Sequence, residues 1–242
     1  MNFAKMKYIL PLFLGMCFFS FSQQSIDNNK YEEYDAIVGI ENTGLFNGTE
    51  FRDLYVNTDK TYRYFNQIEF TEGSIVYCNQ LYSKVLMRYD LLEDNVIIKS
   101  NDNLSLFNVK LQPERIEHFS INSHQFVQLS NTKLDFEDHN FFEVLYLGNT
   151  LNMYIKQLKK KRKNIVGSDI EYSFTQANFH LLFYKDTYYE IRSIRDLQKA
   201  MPENEAQIRS FYSSYSSLYK SDIDVFMLKL SRYLDGGNST NG

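Results

Sequence analysis

Short runs of alternating apolar and polar residues follow one another from about Ile37 to Ile194. A period of two residues is typical of strands that bury one face. The clearest run is 84–91, in which the large apolar side chains share one face and the charged side chains share the other. The apolar set is Val85, Met87, Tyr89 and Leu91, and the charged set is Lys84, Arg88 and Asp90. This pattern predicts a β-rich body.

Short turn segments separate these runs. Strands joined by two- to four-residue turns must be antiparallel, because a parallel pair needs a long crossover. The predicted turns are Asn79-Gln80, Glu93–Asn95, Asn122–His124, Gly148–Thr150 and Lys185–Thr187. Because sheets of roughly ten strands rarely stay flat, we predict a curved antiparallel meander of about ten strands, as a sandwich or partial barrel. With two or three short C-terminal helices after the meander, the predicted fold class is α+β.

Helix signals are confined to residues 193–235. Ser193 and the acid three residues later form a capping pattern, and Pro202 ends the first helical segment. A second segment follows, and capping residues recur at 221–224 before an apolar stripe with helical spacing. That stripe is Ile223, Phe226, Met227, Leu230, Tyr233 and Leu234. We expect a single domain over 37–235 with the helices docked on the sheet, and a disordered C-terminus at 236–242.

The N-terminus has the parts of a secretory signal peptide. A short basic stretch precedes an apolar run from Tyr8 to Phe19, and Ser20 and Ser22 supply small residues at positions −3 and −1. We predict a signal peptide over 1–22 and a flexible mature N-terminus over 23–36. The product is expected in the periplasm, associated with the outer envelope, or secreted. An uncleaved anchor is the alternative, although the apolar run is short for a membrane span.

Cleavage changes the charge and the cysteine content. Loss of 1–22 removes Lys5 and Lys7, which shifts the formal net charge from −4 to −6. It also removes Cys17, which we interpret as ordinary signal-peptide sequence. Cys78 is then alone, so no internal disulfide can form. We predict that Cys78 is a small buried hydrophobe; a reactive nucleophile is the alternative, but no neighbouring base supports it.

One segment combines residue types that can carry acid–base or metal chemistry. It contains Asp135, Glu137 and His139, with His118 and His124 on a neighbouring hairpin as further candidates. In an extended segment the two acids would share a face. The alternative interpretation is an acidic surface connection. No zinc, calcium, serine-nucleophile or phosphate-loop motif is present, so we assign no catalytic, cofactor-binding or metal-binding residue and expect no cofactor.

The basic run Lys156–Lys163, densest over Lys159–Lys163, is the strongest local charge feature. Its candidate partners are an anionic envelope polymer, a lipid headgroup, a nucleic acid or other envelope proteins. The acidic balance of the whole chain argues against a nucleic acid. A solvated loop at the end of a strand is the alternative. We also predict that the mature chain has no transmembrane span.

Aromatic residues make up 16% of the chain, yet Trp is absent. They can form a sugar-stacking surface or fill the core and cross-strand pairs, and their place on alternating faces favours the core. The examples are Tyr77, Tyr89, Phe119, Phe141 and Tyr188. His180 alternates with the apolar Phe179 and Leu181, so we predict that it is exposed on the sheet surface.

Two segments resemble uncharacterised exported proteins common in Bacteroidota. One is the hairpin 85–98, in which Tyr89-Asp90 and Asp94 precede a Val-Ile-Ile strand. The other is the tail from Ile194 to Pro202 and on to Tyr233-Leu234. The resemblance implies a Gram-negative envelope context, and it implies no activity and no functional residues.

Three functions are compatible with these features. The first is a non-catalytic exported envelope protein, a binding or accessory module. The second is a secreted hydrolase that uses the Asp135/Glu137/His139 region. The third is a carrier of a lipid or small ligand, with a cavity in the curved sheet. We favour the non-catalytic module, because the chain has an export signal and no recognisable catalytic motif.

Overall fold

The structure is a computed structural model that describes residues 43–55, 61–99, 108–129 and 141–236. Its thirteen strands are β1 (Thr49–Phe51), β2 (Thr71–Tyr77), β3 (Gln80–Asp90), β4 (Asn95–Lys99), β5 (Asn108–Lys110), β6 (Ile116–Ile121), β7 (His124–Gln128), β8 (Phe141–Leu147), β9 (Leu151–Lys156), β10 (Lys159–Val166), β11 (Asp169–Gln176), β12 (Phe179–Tyr184) and β13 (Thr187–Ile191). Four helices follow: α1 (Ile194–Ala200), α2 (Glu205–Ser214), α3 (Ser216–Ser221) and α4 (Ile223–Leu234). The predicted signal peptide and mature N-terminus lie outside the described residues.

Eleven strands form one open sheet in the order β1-β5-β4-β3-β2-β6-β7-β8-β9-β12-β13. Each pair in it is antiparallel, and β10 and β11 form a separate antiparallel pair. The predicted class, a mainly antiparallel sheet followed by C-terminal helices, is confirmed. The thirteen strands exceed the predicted number of about ten, and the short strands β1 and β5 and the β10–β11 pair were not among the predicted runs.

Three hairpins use two-residue turns in which both residues have a positive φ. These are Cys78 (52°) and Asn79 (62°), Asn122 (50°) and Ser123 (66°), and Lys185 (48°) and Asp186 (57°). Such turns match the right-handed twist of the flanking strands. The predicted hairpins are therefore confirmed, although the first turn lies one residue earlier than predicted.

Cys78 is exposed, so the prediction of a buried hydrophobe is wrong. The strand ends at Tyr77, and Cys78 is the first residue of the turn rather than part of the alternating run. Its backbone N–H donates to the carbonyl of Arg115 at 2.9 Å. The turn thus takes the side chain out of the core.

The sheet curls strongly on itself. In a flat sheet, four steps of about 4.8 Å would separate β3 from β8 by about 19 Å. The rings of Tyr89 on β3 and Phe141 on β8 nevertheless lie 6.1 Å apart. Residues 61–66 run beside the end of β3, where the amide of Phe65 donates to the carbonyl of Tyr89 at 2.8 Å. The inside of the curl is therefore a packed core.

Aromatic rings dominate this core. The stacked pair Phe119 and Phe126, with centroids 4.8 Å apart, lies at its centre. The predicted core positions Tyr77, Tyr89, Phe119 and Phe141 are all at most 1% exposed, and Tyr188 is half-buried against Phe183. The aromatic residues thus fill the core, as predicted.

The helices cover the face of the sheet where β8, β9, β12 and β13 meet them. Phe226, Met227 and Leu230 of α4 pack with Met153 and Leu182 in a second apolar cluster. In the described ranges, no helix is long and apolar enough to cross a membrane. The docked helices leave a cleft between α4 and the sheet.

The helix caps follow the predicted signals. The Ser193 hydroxyl accepts from the amide of Asp196, and a carboxylate oxygen of Asp196 accepts from the amide of Arg192 at 3.2 Å. Asp222, within the predicted capping segment, accepts from the amide of Val225 at 2.9 Å and starts α4. Each cap satisfies an amide that the helix leaves without a partner.

Asp235 ties the end of α4 to the β8–β9 turn. Its carboxylate accepts from the hydroxyl of Tyr146 (2.9 Å) and from the amides of Asn149 (2.9 Å) and Thr150 (2.7 Å). A negative charge at a helix C-terminus interacts unfavourably with the helix dipole. This carboxylate therefore stabilises the β8–β9 turn rather than the helix. Partial burial raises the pKa of Asp235, but these hydrogen bonds outweigh burial and hold the pKa well below its usual range.

We expect Asp235→Asn to lower the free energy of unfolding by about 1 kcal/mol at pH 7, a value reduced for solvent screening. Because the folded pKa is depressed, the stabilisation is complete above the unfolded value of about 3.9 and is lost as the pH falls below it. Urea unfolding between pH 7 and pH 3 measures this, with Asp186→Asn in an exposed turn as the control. An equal difference from wild type at both ends of the range would contradict the assignment.

Candidate functional site

The candidate site is a cleft of about 320 Å³ between the sheet and the start of α4. Its floor is the inner face of the sheet, the face on which Phe126, Glu143 and Ile155 are cross-strand neighbours. Asp224 and Val225 of α4 form the opposite wall, and Phe65 lines the cleft as well. The size and the mixture of apolar and polar lining are those of a small-molecule site.

A chain of hydrogen bonds crosses the cleft floor. Nδ1 of His124 lies 2.6 Å from Oε1 of Glu143, while Oε2 of Glu143 accepts from Gln157 at 2.7 Å. The side-chain carbonyl of Gln157 accepts from the side-chain amide of Asn178 at 2.5 Å. The side-chain carbonyl of Asn178 in turn accepts from the backbone amide of Leu158. Glu143 and Gln157 are buried, so this network fixes the orientation of both side chains.

His180 lies outside the cleft lining, against Asp224 of α4. It is only 4% exposed, so the prediction of an exposed residue is wrong. Both faces of β12 are covered: Leu182 packs under the helices, and Leu181 packs in a third cluster on the opposite face. Nε2 of His180 lies 2.9 Å from Oδ1 of Asp224, although the two are not aligned as a hydrogen bond.

The histidines predicted to join the acidic segment do not come together. His118 pairs with Val127, and His124 pairs with Ile121, which places the two histidines on opposite faces of the sheet. Only His124 reaches the cleft. Asp135, Glu137 and His139 lie outside the described residues, so their role stays a prediction.

The cleft geometry is suited to hydrogen bonding. It presents carboxylate and carboxamide groups to a ligand, and Asp224 is 43% exposed at its side chain. None of the described side chains that line it is Ser, Thr or Cys, the usual nucleophiles. Within the part of the chain that the structure describes, no group of three or more His, Cys, Asp and Glu is placed to hold a metal ion.

A buried charge cluster lies beside the cleft, where the sheet curls. Nζ of Lys156 lies 2.7 Å from Oδ2 of Asp94 and donates to the carbonyl of Phe141 at 2.7 Å. The Tyr89 hydroxyl donates to the other oxygen of Asp94 at 2.5 Å. Burial lowers the pKa of Lys156, an effect that Asp94 opposes, and burial raises the pKa of Tyr89. With Lys156 at 0% exposure, the cluster is a structural link between β3, the β3–β4 turn, β8 and β9.

The densest part of the basic run, Lys159–Lys163, forms one strand of a β-hairpin, so the alternative of a solvated loop is wrong. We call β10 and β11, residues 159–176, the arm. Lys156, at the start of the predicted run, is buried in the cluster just described and takes no part in the exposed surface. The consecutive lysines conceal the period of two, which is why the strand was missed.

Contacts from the base of the arm to its middle hold it against the body. The Phe174 amide donates to the hydroxyl of Thr61 at 3.1 Å, and Tyr55 contacts Tyr172 edge-on at 5.0 Å. Lys159 donates to the carbonyl of Tyr64 at 3.1 Å. The arm is therefore fixed at one end.

The outer part of the arm is basic with an apolar end. Lys160, Arg162 and Lys163 are exposed, and none makes a side-chain hydrogen bond or ion pair with a described residue. Ile165 and Ile170 lie directly opposite each other in the register and are 74% and 49% exposed. We call this isoleucine pair the tip.

Sequence reasoning missed several of these residues, although Glu143 and the strand β11 carried a signal. Glu143 occupies an inward position in the otherwise apolar Phe141–Leu147, and a carboxylate at such a position needs a partner. In β11, Ile170, Tyr172 and Phe174 alternate with polar residues and indicate a strand. Gln157, Asn178 and Asp224 carry no comparable local signal.

Comparison of the chain with models of protein families, with curated proteins and with solved structures finds no match.

Proposed function

We propose that the protein is a non-catalytic exported module of the cell envelope that binds an anionic surface through the arm. The observation that carries this proposal is the row of exposed cations, Lys160, Arg162 and Lys163, on a hairpin anchored at its base. Export and envelope location rest on the signal-peptide pattern of residues 1–22.

The distribution of charge supports binding through the arm. The arm carries five basic and two acidic side chains, in a chain whose formal net charge is −4. Its cations are thus concentrated on one projection, while the rest of the chain is acidic. Such an arrangement orients the molecule toward an anionic surface and opposes its approach by other faces.

Binding to anionic targets tests the proposal. The targets are vesicles with anionic lipid and a carboxylated polysaccharide matrix. Each cation near an anionic membrane contributes about fivefold in binding, so Lys160→Gln/Arg162→Gln/Lys163→Gln is expected to bind about 10- to 100-fold more weakly than wild type. Cosedimentation at physiological salt measures this.

The matched control has the same net charge with the arm intact. Lys199→Gln/Lys220→Gln/Lys229→Gln removes three exposed lysines from the helices and is expected to bind as wild type does. Equal binding of the two triple variants to both targets would overturn the proposal, because charge alone, without the arm, would then account for the binding.

The two other predicted functions are less well supported. For a carrier, the inside of the curl is filled by packed rings, and the cleft beside α4 offers room for a small polar ligand. For a hydrolase, the proposed Asp135/Glu137/His139 group lies outside the described residues. The His124–Glu143 pair on the cleft floor has no nucleophile among its described neighbours in the cleft.

A further inference from the structure

We propose that the anionic surface is a lipid bilayer and that the tip of the arm inserts into its interface. This inference rests on the proposed function and specifies its partner. The order of side chains along the arm, their exposure and the small size of the apolar tip support it.

Side chains on one face of the arm follow the order of layers in a membrane. From the end inward, the cross-strand pairs on this face are Ile165 with Ile170, then Lys163 with Tyr172, then Lys161 with Phe174; the register ends one pair further out, at Val166 with Asp169. Successive pairs on one face are two residues, about 7 Å, apart. A tip buried about 5–10 Å deep therefore places Lys163 and Tyr172 at the level of the headgroups, together with Tyr55 of the body, whose ring lies 5.0 Å from that of Tyr172.

Lysine and tyrosine suit that level. A lysine stem can lie along apolar surface while its ammonium reaches phosphate, and tyrosine is enriched where hydrocarbon meets water. Lys160 and Arg162, on the opposite face of the arm, are exposed as well, so both faces carry positive charge behind the tip. An anionic headgroup layer would meet cations on either side of the inserted hairpin.

The exposed isoleucines favour a bilayer over the other anionic partners. A hydrated polysaccharide or a nucleic acid backbone offers no apolar environment to Ile165 and Ile170, so their exposure would gain nothing there. A second protein is also a poor fit, since a stable protein interface buries about 1,200 Å² or more, far beyond two side chains. A bilayer accepts a small apolar tip and needs no matching shape.

Substitution of the tip separates insertion from charge attraction. Ile165→Thr/Ile170→Thr keeps β-branched residues in the strands, and it is expected to bind anionic vesicles at least about tenfold more weakly. Binding to the carboxylated matrix is expected to stay unchanged. Leu147→Thr, at an exposed leucine (60%) on β8, is the control and is expected to bind vesicles as wild type does.

A fluorescence variant reports insertion directly. The chain contains no Trp, so Ile170→Trp places a single indole at the tip. Its emission is expected to shift to shorter wavelength on vesicles with anionic lipid and to stay unshifted on the soluble polysaccharide. An unshifted spectrum at saturating vesicle concentration would overturn the insertion.

The outcomes distinguish this inference from the proposed function. If the glutamine triple variant loses vesicle binding while the threonine double variant keeps it, the arm binds by charge alone and only the insertion is wrong. If wild type binds the matrix but not vesicles, the bilayer is the wrong partner. If sedimentation velocity shows a dimer that the threonine variant abolishes, the tip is a protein contact and the inference is overturned.

Discussion

Lys156→Met is expected to lower the free energy of unfolding by about 3–5 kcal/mol, because it leaves a buried carboxylate without its cation. Lys156 is fully buried, and its ammonium is the cation that balances the buried carboxylate of Asp94. The methionine fills nearly the same volume, so the loss reports the charge rather than a cavity. Urea unfolding followed by circular dichroism measures it.

A second substitution tests whether the charge is the cause. Asp94→Asn removes the negative charge, so the double variant Lys156→Met/Asp94→Asn is expected to recover a large part of the stability that Lys156→Met loses. Lys185→Met breaks an exposed ion pair with Glu203 and is expected to change stability little. If Lys156→Met proved as stable as wild type, the ammonium would have to reach water, contrary to its burial.

The local parts of this fold follow from the sequence because their causes are local. In the run 84–91, Val85, Met87 and Tyr89 alternate with Lys84 and Arg88, and the alternation sets which face is buried. Turn residues with positive φ and capping side chains also act within a few positions. Strands, hairpins and helix caps were therefore predictable from short stretches.

The curl and the cleft depend on contacts between distant residues. Lys156 begins a run of basic residues, and only the approach of Asp94, in the distant β3–β4 turn, explains its burial. His180 alternates like a surface residue, but α4 covers it. The pairing of His124 with Glu143 likewise follows from the register of β7 and β8. No local pattern contains this information, so the prediction missed these sites.

Phe126→Ala is expected to lower the free energy of unfolding by about 3–5 kcal/mol. The Phe126 ring is fully buried between rings from three segments: Phe65 at 5.1 Å, Tyr89 at 5.0 Å and Phe119 at 4.8 Å. The alanine removes contacts with all three rings at once. Because the curved sheet holds the surrounding rings in place, they have little freedom to move into the cavity that the substitution leaves. Urea unfolding measures the loss, and Phe126→Leu is expected to restore more than half of it.

Tyr215→Ala is the aromatic control, because this ring on the helical side is 44% exposed, and its expected loss is small. A loss below about 1 kcal/mol for Phe126→Ala would mean that the rings do not pack as described. Tyr89 contacts both Phe126 and Asp94, so Phe126→Ala and Lys156→Met act on one shared side chain. The loss of unfolding free energy in the double variant is therefore expected to differ from the sum of the two single losses by about 0.5 kcal/mol or more. The reason is that the ring core and the buried charge cluster stabilise the same curved part of the sheet.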